Sequence, residues 1–231
     1  DSDYKNVNNV EYREINGVAM SQTVNNAVTD DSYFKEEATE SSNINNLENI
    51  HKMDMAIANI ALKYTPSNSV AYAKGGQVIG IGAGQQNRVD CVKLAGRKTA
   101  IWYMRSHPRV LDLWKHFRSN LKRQDKVNAI IDYINGLNDR DYERWLNNFE
   151  EGYNPERLSG EEVEEYLSTM DNFSLVSDAF FPFRDSIDNC NRYGVKYILQ
   201  PGGSSADEGI IKACREYDIR MFFSHVRMFY H

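Results

Sequence analysis

The sequence predicts an α/β protein, because short apolar segments alternate with helical ones over residues 173–223. Residues 173–176, 195–199 and 219–223 are apolar runs of strand length, and a helical segment lies between each successive pair. A strand–helix–strand–helix–strand order gives parallel strands joined by right-handed crossovers. A β-hairpin at residues 70–81 adds an antiparallel pair, so the predicted sheet is mixed and largely parallel.

The predicted hairpin leads into a glycine-rich loop. The Lys-Gly-Gly sequence at residues 74–76 forms the hairpin turn, since glycine reaches the positive φ angles that primed turns need. Gly80, Gly82 and Gly84 leave one face without side chains, which lets a ligand or another backbone approach closely. The alternative is a hairpin packed on a helix, with the glycines used only for turns.

A helix follows this loop, beginning near Gln85 and continuing to about Arg105. Its free N–H groups and positive dipole end could hold an anion or a polar carbonyl. Arg88 in the first turn opposes the helix dipole, which indicates a ligand-facing role for this cation.

Helical periodicity predicts the remaining helices. They cover residues 47–64, 110–117, 125–135, 140–149, 159–167, 185–193 and 206–217. The first should bury one apolar face made of Leu47, Ile50, Met53, Ile57, Ile60, Ala61 and Tyr64. His51 on the same helix is interpreted as a surface residue. Asp185 and Ser205 are predicted to be the N-caps of the last two helices.

The composition indicates a chain that can bury a core and has no general affinity for polyanions. Its 231 residues are 41% hydrophobic and 12% aromatic, with a formal net charge of −6. This charge argues against nucleic acids and anionic membranes as partners, because both need a basic footprint. No apolar run is long enough to span a bilayer. Cys91, Cys190 and Cys214 are predicted to be buried free thiols in a reducing compartment, so the cytosol is the expected location.

The chain divides by composition near residue 46. Residues 1–46 are rich in Asn, Asp, Ser and Glu and are interpreted as a polar connecting segment, which we expect to be a mobile loop over residues 36–46. Residues 47–231 form the predicted domain.

Ligands bind beyond the carboxyl ends of parallel strands, so two loops and the tail should form one site. The loops are residues 177–185 and 200–205, and the tail follows Phe223. The side chains expected there are Asn68, Arg88, Phe180, Phe181, Arg184, Asp185, Ser204, Ser205 and Arg227. Such a set suits a planar polar heterocycle with an anionic group, because aromatic faces stack and arginines bind phosphate or carboxylate. Each residue taken singly has a structural alternative, as a helix cap, a core residue or a surface ion pair.

Three stretches resemble one enzyme family. They are SNSVAYAKGGQVIGIGAGQQNRVDCVKLAG at residues 67–96, SDAFFPFRD at 177–185 and RMFYH at 227–231. In this order they resemble the C-terminal part of the transformylase domain in the AICAR transformylase/IMP cyclohydrolase family, in its eukaryotic-type form. The resemblance covers most of the chain and is weakest before residue 47. It implies a three-layer α/β sandwich similar to the cytidine deaminases.

The resemblance implies transfer of a formyl group from 10-formyltetrahydrofolate to the 5-amine of AICAR, the aminoimidazole carboxamide ribonucleotide, in purine (IMP) biosynthesis. The residues that match ribonucleotide-contacting positions are Asn68, Arg88, Phe180 and Arg227. Those that match folate-contacting positions are Val89, Asp185, Ser204 and Ser205, and Asn128 also matches an asparagine near the site.

The family's catalytic Lys-His pair has no counterpart at its usual place. Lys115-His116 is followed by Phe-Arg-Ser instead of a Val-Ser-Pro-Ala-Gly type sequence, and it is interpreted as a solvated helix face. No catalytic residue is therefore assigned to this chain. The resemblance implies that an upstream transformylase segment supplies the pair and that a homodimer forms a composite site. The alternative is a non-catalytic nucleotide- or folate-binding or scaffold module that retains the fold.

The resemblance also concerns metal ions. It implies a structural potassium ion near Thr65, Ser69 and Asp178. The zinc-deaminase signature, HxE with PCxxC, is absent from the sequence, so no catalytic zinc is predicted.

Overall fold

The computed structural model describes residues 9–40 and 47–230 and shows an α/β fold built on a five-stranded sheet. The strands are β1 Val10–Ile15, β2 Val18–Thr23, β3 Ser69–Lys74, β4 Gln77–Ala83, β5 Phe173–Ser177, β6 Val195–Gln200 and β7 Arg220–Phe223. The helices are α1 Asn49–Lys63, α2 Arg88–Met104, α3 Pro108–His116, α4 Arg123–Asn135, α5 Asp139–Trp145, α6 Gly160–Ser168, α7 Asp185–Asn191 and α8 Asp207–Glu216.

The central sheet has the strand order β4-β3-β5-β6-β7. Strand β3 pairs antiparallel with both β4 and β5, whereas β5, β6 and β7 run parallel to one another. Parallel neighbours require a crossover connection, which α7 and α8 provide. The mixed, largely parallel sheet predicted from the sequence is confirmed.

Helices cover both faces of this sheet. On one face α2, α7 and α8 pack over a core that includes Leu175 and Ile198. On the other face α1 packs over a core that includes Val176 and Leu199. Neighbouring strand residues enter different cores because successive side chains point to opposite faces. The molecule is therefore a three-layer sandwich, in agreement with the predicted fold class.

Two glycines allow α2 to lie directly on β4. A Cβ added to Gly80 would lie 2.4 Å from the carbonyl oxygen of Ala95, and one added to Gly82 would lie 2.1 Å from that of Cys91. Side chains do not fit at such distances, so both positions require glycine. The face without side chains that was predicted at these glycines thus lies against the backbone of α2. Of the two predicted neighbours, a ligand or another backbone, the structure shows the backbone.

Helix α1 buries a different face from the one predicted. Ile50, Met53, Ile60 and Tyr64 are expected in the core, but they are 38%, 43%, 49% and 71% exposed. The face that packs on the sheet carries His51, Asp54, Met55, Ala58, Asn59 and Leu62. The most apolar stripe of this helix therefore faces outward, and the prediction of its buried face was wrong.

Hydrogen bonds explain why α1 turns its polar residues inward. The two carboxylate oxygens of Asp54 accept the backbone N–H groups of Gly75 and Gly76 at 3.1 and 2.6 Å. His51 stacks on Tyr197 with ring centroids 3.8 Å apart and is buried, so it is not the surface residue that was predicted. Buried polar groups are tolerated when they are paired, and Asp54 is paired with the β3–β4 turn.

Residues 10–23 form a β-hairpin where the sequence suggested only a connecting segment. Strands β1 and β2 pair antiparallel across a two-residue turn. Asn16 and Gly17 occupy that turn with φ angles of 52° and 78°, which is the Asn-Gly signal of a type I′ turn. The hairpin is attached to the tail, because Gln22 Nε2 donates to the carbonyl oxygen of Phe229 at 3.1 Å.

The segment before α1 also packs on the sheet. The N–H of Ala38 donates to the carbonyl oxygen of Met221 at 2.8 Å, and the N–H of Phe223 donates to that of Glu36 at 3.0 Å. The segment thereby covers the outer edge of β7 and removes an open strand edge. The loop predicted at residues 36–46 is thus ordered against β7 over residues 36–40, while residues 41–46 lie outside the described residues.

Helices α3, α4 and α5 build a second, smaller core beside the sandwich. Its buried members are Val110, Leu113, Phe117, Ala129, Ile130, Tyr133, Trp145 and Phe149. Trp145 donates its indole N–H to the carbonyl oxygen of Ala129 at 2.8 Å, so this large side chain is buried with its polar group satisfied. A capping box of Ser159 and Glu162 is present at the start of α6.

The three cysteines are buried and free, as predicted, and they lie on α2, α7 and α8. Burial raises the pKa of the Cys190 and Cys214 thiols, which keeps them protonated and unreactive. Within residues 9–40 and 47–230, no helix has both the length and the apolar character that a membrane crossing requires.

Candidate functional site

One edge of the sheet collects every loop in which site residues were predicted. Strand β4 ends at Ala83, β5 at Ser177, β6 at Gln200 and β7 at Phe223. Strand β3 begins at the same edge, since Ser69 pairs with Ala83. The connections after β4, β5 and β6 and the tail after β7 therefore open on a common surface, where ligands bind in sheets of this kind.

Asp178, just after β5, is the buried centre of this edge. Its Oδ2 accepts the hydroxyl of Ser67 at 2.6 Å and the backbone N–H of Ser69 at 3.1 Å. Its Oδ1 forms an ion pair with Arg88 at the start of α2. A carboxylate without solvent exposure is stable only when paired and hydrogen-bonded, so Asp178 connects β3, β5 and α2.

Arg88 is enclosed by protein acceptors. Its Nη1 donates to the carbonyl oxygen of Ser69 at 2.9 Å, and its Nη2 donates to the side-chain oxygen of Asn68 at 3.0 Å. The pairing with Asp178 accounts for a cation at the first position of α2, where the helix dipole alone disfavours one. The helix begins at Arg88, three residues later than the predicted Gln85, because Asn87 caps it by accepting the N–H of Asp90 at 2.8 Å.

The C-terminal tail crosses this edge and is hydrogen-bonded to it. The N–H of Ser67 donates to the carbonyl oxygen of Tyr230 at 2.9 Å, and the N–H of Tyr230 donates to the hydroxyl of Ser67 at 3.1 Å. The N–H of Met228 donates to the carbonyl oxygen of Asp178 at 2.8 Å. These bonds hold the tail over the Asp178 network. His231, the last residue of the predicted motif, lies outside the described residues.

Arg227 and Phe180, two predicted site residues, are brought together by the tail. The Arg227 guanidinium carbon lies 5.2 Å from the centroid of the Phe180 ring and 6.0 Å from that of Phe229. Arg227 is exposed, so its cation is available to a ligand. A cavity of about 580 Å³ lies beside it, lined by Arg227, Phe229 and the β1–β2 hairpin, and this size suits a small molecule.

The loop after β5 is anchored by Arg184 and Phe181 and exposes Phe183. Arg184 forms ion pairs with Glu216 at 2.6 Å and with Asp188 at 3.0 Å, so it points along α7 and α8. Hydrogen bonding to Arg184 lowers the pKa of Glu216. Phe181 is fully buried in the core, whereas Phe183 is 69% exposed. Arg184 and Phe181 therefore hold the loop in place.

Asp185 does not cap α7, contrary to the prediction. It is the first residue of the helix, Arg184 occupies the N-cap position, and no side-chain hydrogen bond caps the helix. The Asp185 carboxylate is exposed, and its one described side-chain contact is the hydroxyl of Ser186 at 3.4 Å. Helix capping, the structural alternative to a ligand-binding role for Asp185, is thus excluded.

The loop after β6 is closed by a residue that the sequence analysis did not single out. Asp207 Oδ2 accepts the N–H groups of Gly203 at 2.8 Å and Ser204 at 3.0 Å. Ser205 is exposed and does not cap α8, because Ala206 is the N-cap residue and no side chain caps this helix. The predicted N-cap role of Ser205 is therefore wrong.

Other predicted residues lie apart from this group or at its margin. Val89 is half-buried in the first turn of α2, next to Arg88. Asn128 is exposed on α4 and accepts a hydrogen bond from Gln124 at 3.0 Å. Lys115 pairs with Asp112 at 3.0 Å, and His116 stacks on Tyr153 with centroids 4.0 Å apart. The described contacts of these α3 and α4 residues are with residues of the helical region and not with the sheet edge.

Thr65, Ser69 and Asp178, the residues predicted to lie near a potassium ion, do not together provide free oxygen ligands for a cation. Both oxygens of Asp178 are already occupied by donors, one of them the Arg88 cation. The Thr65 hydroxyl donates to the carbonyl oxygen of Ala61 at 2.7 Å, and only the buried Ser69 hydroxyl has no partner. In the part of the chain that the structure describes, no three His, Cys, Asp or Glu side chains come together as a metal site. The potassium ion stays a prediction.

Sequence reasoning missed three contributors to this edge. The β1–β2 hairpin lines the cavity, and its Asn-Gly turn was the signal for it. Phe183 lies inside the SDAFFPFRD stretch, and only its exposure in the structure distinguishes it from the buried Phe181. Asp207 sits three residues after Ser204, a spacing at which a carboxylate can return to loop N–H groups.

Comparisons with known proteins agree with the resemblance. Residues 1–98 match the family model described as AICARFT/IMPCHase bienzyme. The bifunctional purine biosynthesis protein PurH of Persephonella marina (strain DSM 14350 / EX-H1) is 29% identical over 178 residues, which cover 77% of this chain and 22% of that protein. The chain thus spans about a fifth of the length of the curated relative that it matches. Over these parts the chain is similar to a bifunctional purine biosynthesis enzyme.

Proposed function

We propose that this chain, as a member of the AICAR transformylase/IMP cyclohydrolase family, supplies part of a site that transfers a formyl group from 10-formyltetrahydrofolate to the 5-amine of AICAR. The observation that carries the proposal is the grouping at one sheet edge of the Arg88–Asn68 pair and the Arg227–Phe180 pair. These two pairs offer a fixed amide and an exposed cation with an aromatic face. A ribonucleotide with a carboxamide and a phosphate requires these groups.

Each end of the nucleotide has a partner in this arrangement. Arg227 binds the phosphate by charge-assisted hydrogen bonds, while the Phe180 ring makes a cation–π contact with the same guanidinium. Asn68 is held by Arg88 at its side-chain oxygen and by the carbonyl oxygen of Gln85 at its side-chain nitrogen. It reads the carboxamide and amine with the second N–H and the second lone pair of its amide. The folate ring lies toward Val89, Asp185, Ser204 and Ser205, with Phe183 as an additional aromatic surface.

The chemical step needs help because the amine is a poor nucleophile. Its lone pair is delocalised into the imidazole ring and the carboxamide. The residues of this chain contribute by positioning the amine against the formyl carbon, which lowers the entropic part of the barrier. Removal of the amine proton and stabilisation of the oxyanion fall to groups outside the chain, such as the Lys-His pair of an upstream segment.

The complete site is composite in this proposal. A homodimer and an upstream transformylase segment enclose the sheet edge. Buried free thiols favour a reducing compartment, and we place the reaction in the cytosol.

A second candidate is a non-catalytic nucleotide- or folate-binding module. The position of Lys115 and His116 favours it, because Lys115 pairs with Asp112 on α3 and His116 stacks on Tyr153, so neither described contact is at the sheet edge. In this case AICAR and folate bind but do not react.

Formyl transfer distinguishes the two candidates. The assay measures formyl-AICAR formed from AICAR and 10-formyltetrahydrofolate by this chain alone and after addition of the upstream segment. Activity in the mixture alone supports the composite site. Binding of both ligands without turnover in the mixture supports the binding module, and absence of binding rejects both.

A further inference from the structure

We infer that Arg13 on the β1–β2 hairpin is a positioning residue for Arg227, because it holds the C-terminal tail through the hydroxyl of Tyr230. The inference rests on the proposed function, in which Arg227 binds the phosphate of AICAR, and it extends that function to the hairpin. Asn25, just after the hairpin, has the same role at the Arg227 end of the tail.

One face of the hairpin is turned toward the tail. Arg13 and Met20 are cross-strand partners, and Gln22 lies two residues from Met20, so the three side chains share a face. These three residues and two of the tail, Arg227 and Phe229, line the same cavity of about 580 Å³. Because a cavity separates much of this face from the tail, the connection between them depends on polar side chains that reach across.

Arg13 connects the hairpin to the end of the tail. Its Nη2 donates to the hydroxyl of Tyr230 at 2.6 Å, and its guanidinium carbon lies 4.9 Å from the centroid of the same ring. The tyrosine is therefore held both at its hydroxyl and at its ring face. This contact joins residues that are 217 positions apart in the sequence.

Asn25 makes the contact nearest to the site arginine. Its Nδ2 donates to the carbonyl oxygen of Arg227 at 3.4 Å and lies 3.1 Å from the sulfur of Met228. Its Oδ1 accepts the N–H of Ala27 at 3.0 Å, which fixes the orientation of the amide. The Arg227 backbone is thereby attached to a side chain that is itself held in place.

The tail is held from two opposite sides. The N–H groups of Met228 and Tyr230 donate to the sheet edge, whereas the carbonyl oxygens of Arg227 and Phe229 accept from the hairpin side. This alternation is that of an extended segment, in which successive residues point in opposite directions. Loss of the hairpin contacts leaves the backbone of Arg227 without its direct hydrogen bond.

Backbone anchoring matters for Arg227 because its side chain is exposed. An exposed arginine has many accessible rotamers, and ordering it on binding costs conformational entropy. A fixed backbone keeps the guanidinium beside the Phe180 ring and lowers this cost before the ligand arrives. Variants that release the tail should therefore weaken the contact with a phosphate and leave the remainder of the nucleotide bound as before.

The test compares AICAR with its nucleoside, which lacks the phosphate, in calorimetric titrations of the full chain. Tyr230→Phe removes only the hydroxyl that accepts from Arg13. It should weaken AICAR binding about fivefold, the effect of one hydrogen bond, and leave the affinity for the nucleoside unchanged. Arg13→Ala should have the same effect, and the double variant should lose no more than either, because both changes remove one contact. Arg13→Lys, which keeps a donor cation, should recover part of the loss.

Tyr12→Phe is the matched control. It removes the same hydroxyl from the strand residue next to Arg13, which is 72% exposed and points to the opposite face of the hairpin. Both ligands should bind to this variant as they do to the native chain. Equal weakening of AICAR and the nucleoside by Tyr230→Phe would indicate a general loss of the site and overturn the inference. An AICAR affinity that neither Tyr230→Phe nor Arg13→Ala changes would overturn it as well.

Hydrogen exchange provides a readout that needs no ligand. The N–H of Met228 is bonded to the carbonyl oxygen of Asp178, so its exchange rate reports whether the tail stays on the sheet edge. Exchange should be faster in Tyr230→Phe and in Asn25→Asp, which keeps the acceptor but has no N–H to donate to the tail, and not in Tyr12→Phe.

The exchange measurement also separates the inference from the proposed function. Native-like exchange of the Met228 N–H in both tail variants would show that the hairpin does not position the tail. A native chain that does not bind AICAR rejects the proposed function, while the exchange rates still decide whether Arg13 and Asn25 hold the backbone of Arg227.

Discussion

The guanidinium of Arg88 donates to the side-chain oxygen of Asn68 at 3.0 Å, while its other nitrogen pairs with the fully buried Asp178. The ion pair therefore fixes the orientation of an amide at the rim of the sheet edge. A buried charge and a ligand-reading group are coupled through one side chain. Stability and binding should consequently respond together to changes at Arg88.

Arg88→Ala should lower the free energy of unfolding by about 3–5 kcal/mol, because it leaves the Asp178 carboxylate buried without its cation. Urea denaturation measures the change. Asp178→Asn in the same background should restore part of the loss, since the uncompensated charge is then removed. A loss below about 1 kcal/mol would be typical of an exposed pair and would contradict the burial of this one.

Arg227→Ala should weaken AICAR binding by about 10- to 100-fold, because a charge-assisted hydrogen bond to phosphate contributes roughly 1.5–3 kcal/mol. Calorimetric titration measures the affinity. Arg144→Ala is the control, because this arginine is on α5 and its side chain is 76% exposed in a surface pair with Asp141. Equal losses in both variants would indicate a general charge effect and contradict a phosphate contact at Arg227.

Phe183→Ala should leave the free energy of unfolding nearly unchanged, because the side chain is 69% exposed. It should weaken binding of 10-formyltetrahydrofolate by about tenfold, the effect of losing one aromatic stacking contact. Tyr64→Ala removes a comparably exposed aromatic side chain at the end of α1 and should not affect folate. Native-like folate affinity in the Phe183 variant would exclude this ring from the site.

The sequence predicted the central sheet because its signals are local. The turn at Gly75 and Gly76 requires positive φ angles, and the segments of β5, β6 and β7 are mostly apolar and of strand length. The buried face of α1 could not be predicted in this way. It depends on Asp54 reaching the N–H groups of a turn that lies more than twenty residues later in the chain.

The positions of the candidate site loops were predicted more successfully than the capping roles of single residues. The loops containing Asp185 and Ser205 were placed correctly at the sheet edge, since parallel strands end together. Their capping roles were wrong, because Arg184 and Ala206 take the N-cap positions. Capping preference is a statistical property of residue types. In both helices the preceding loop sets the N-cap position, which lies one residue away from the predicted one.

The buried imidazole of His51 gives the protein a specific response to mild acid. Burial lowers the pKa of His51 below its ordinary value of 6.5, and the nearby Arg220 and Lys74 act in the same direction, against Glu48 and Asp54. The folded state therefore binds this proton less readily than the unfolded state. It follows that the free energy of unfolding decreases as the pH falls through about 6.5.

His51→Phe should remove this part of the pH dependence, because phenylalanine keeps an aromatic ring against Tyr197 and does not titrate. Urea denaturation of the native chain and the variant between about pH 7 and pH 5 measures the difference. The native chain should lose stability relative to the variant as the pH falls, since only the native chain has a group at this position that binds a proton more readily in the unfolded state. His225→Phe is the control, because His225 is exposed beside Glu36 and should leave the contribution of His51 intact. Parallel curves for the native chain and His51→Phe would show that the imidazole is not desolvated in the folded state.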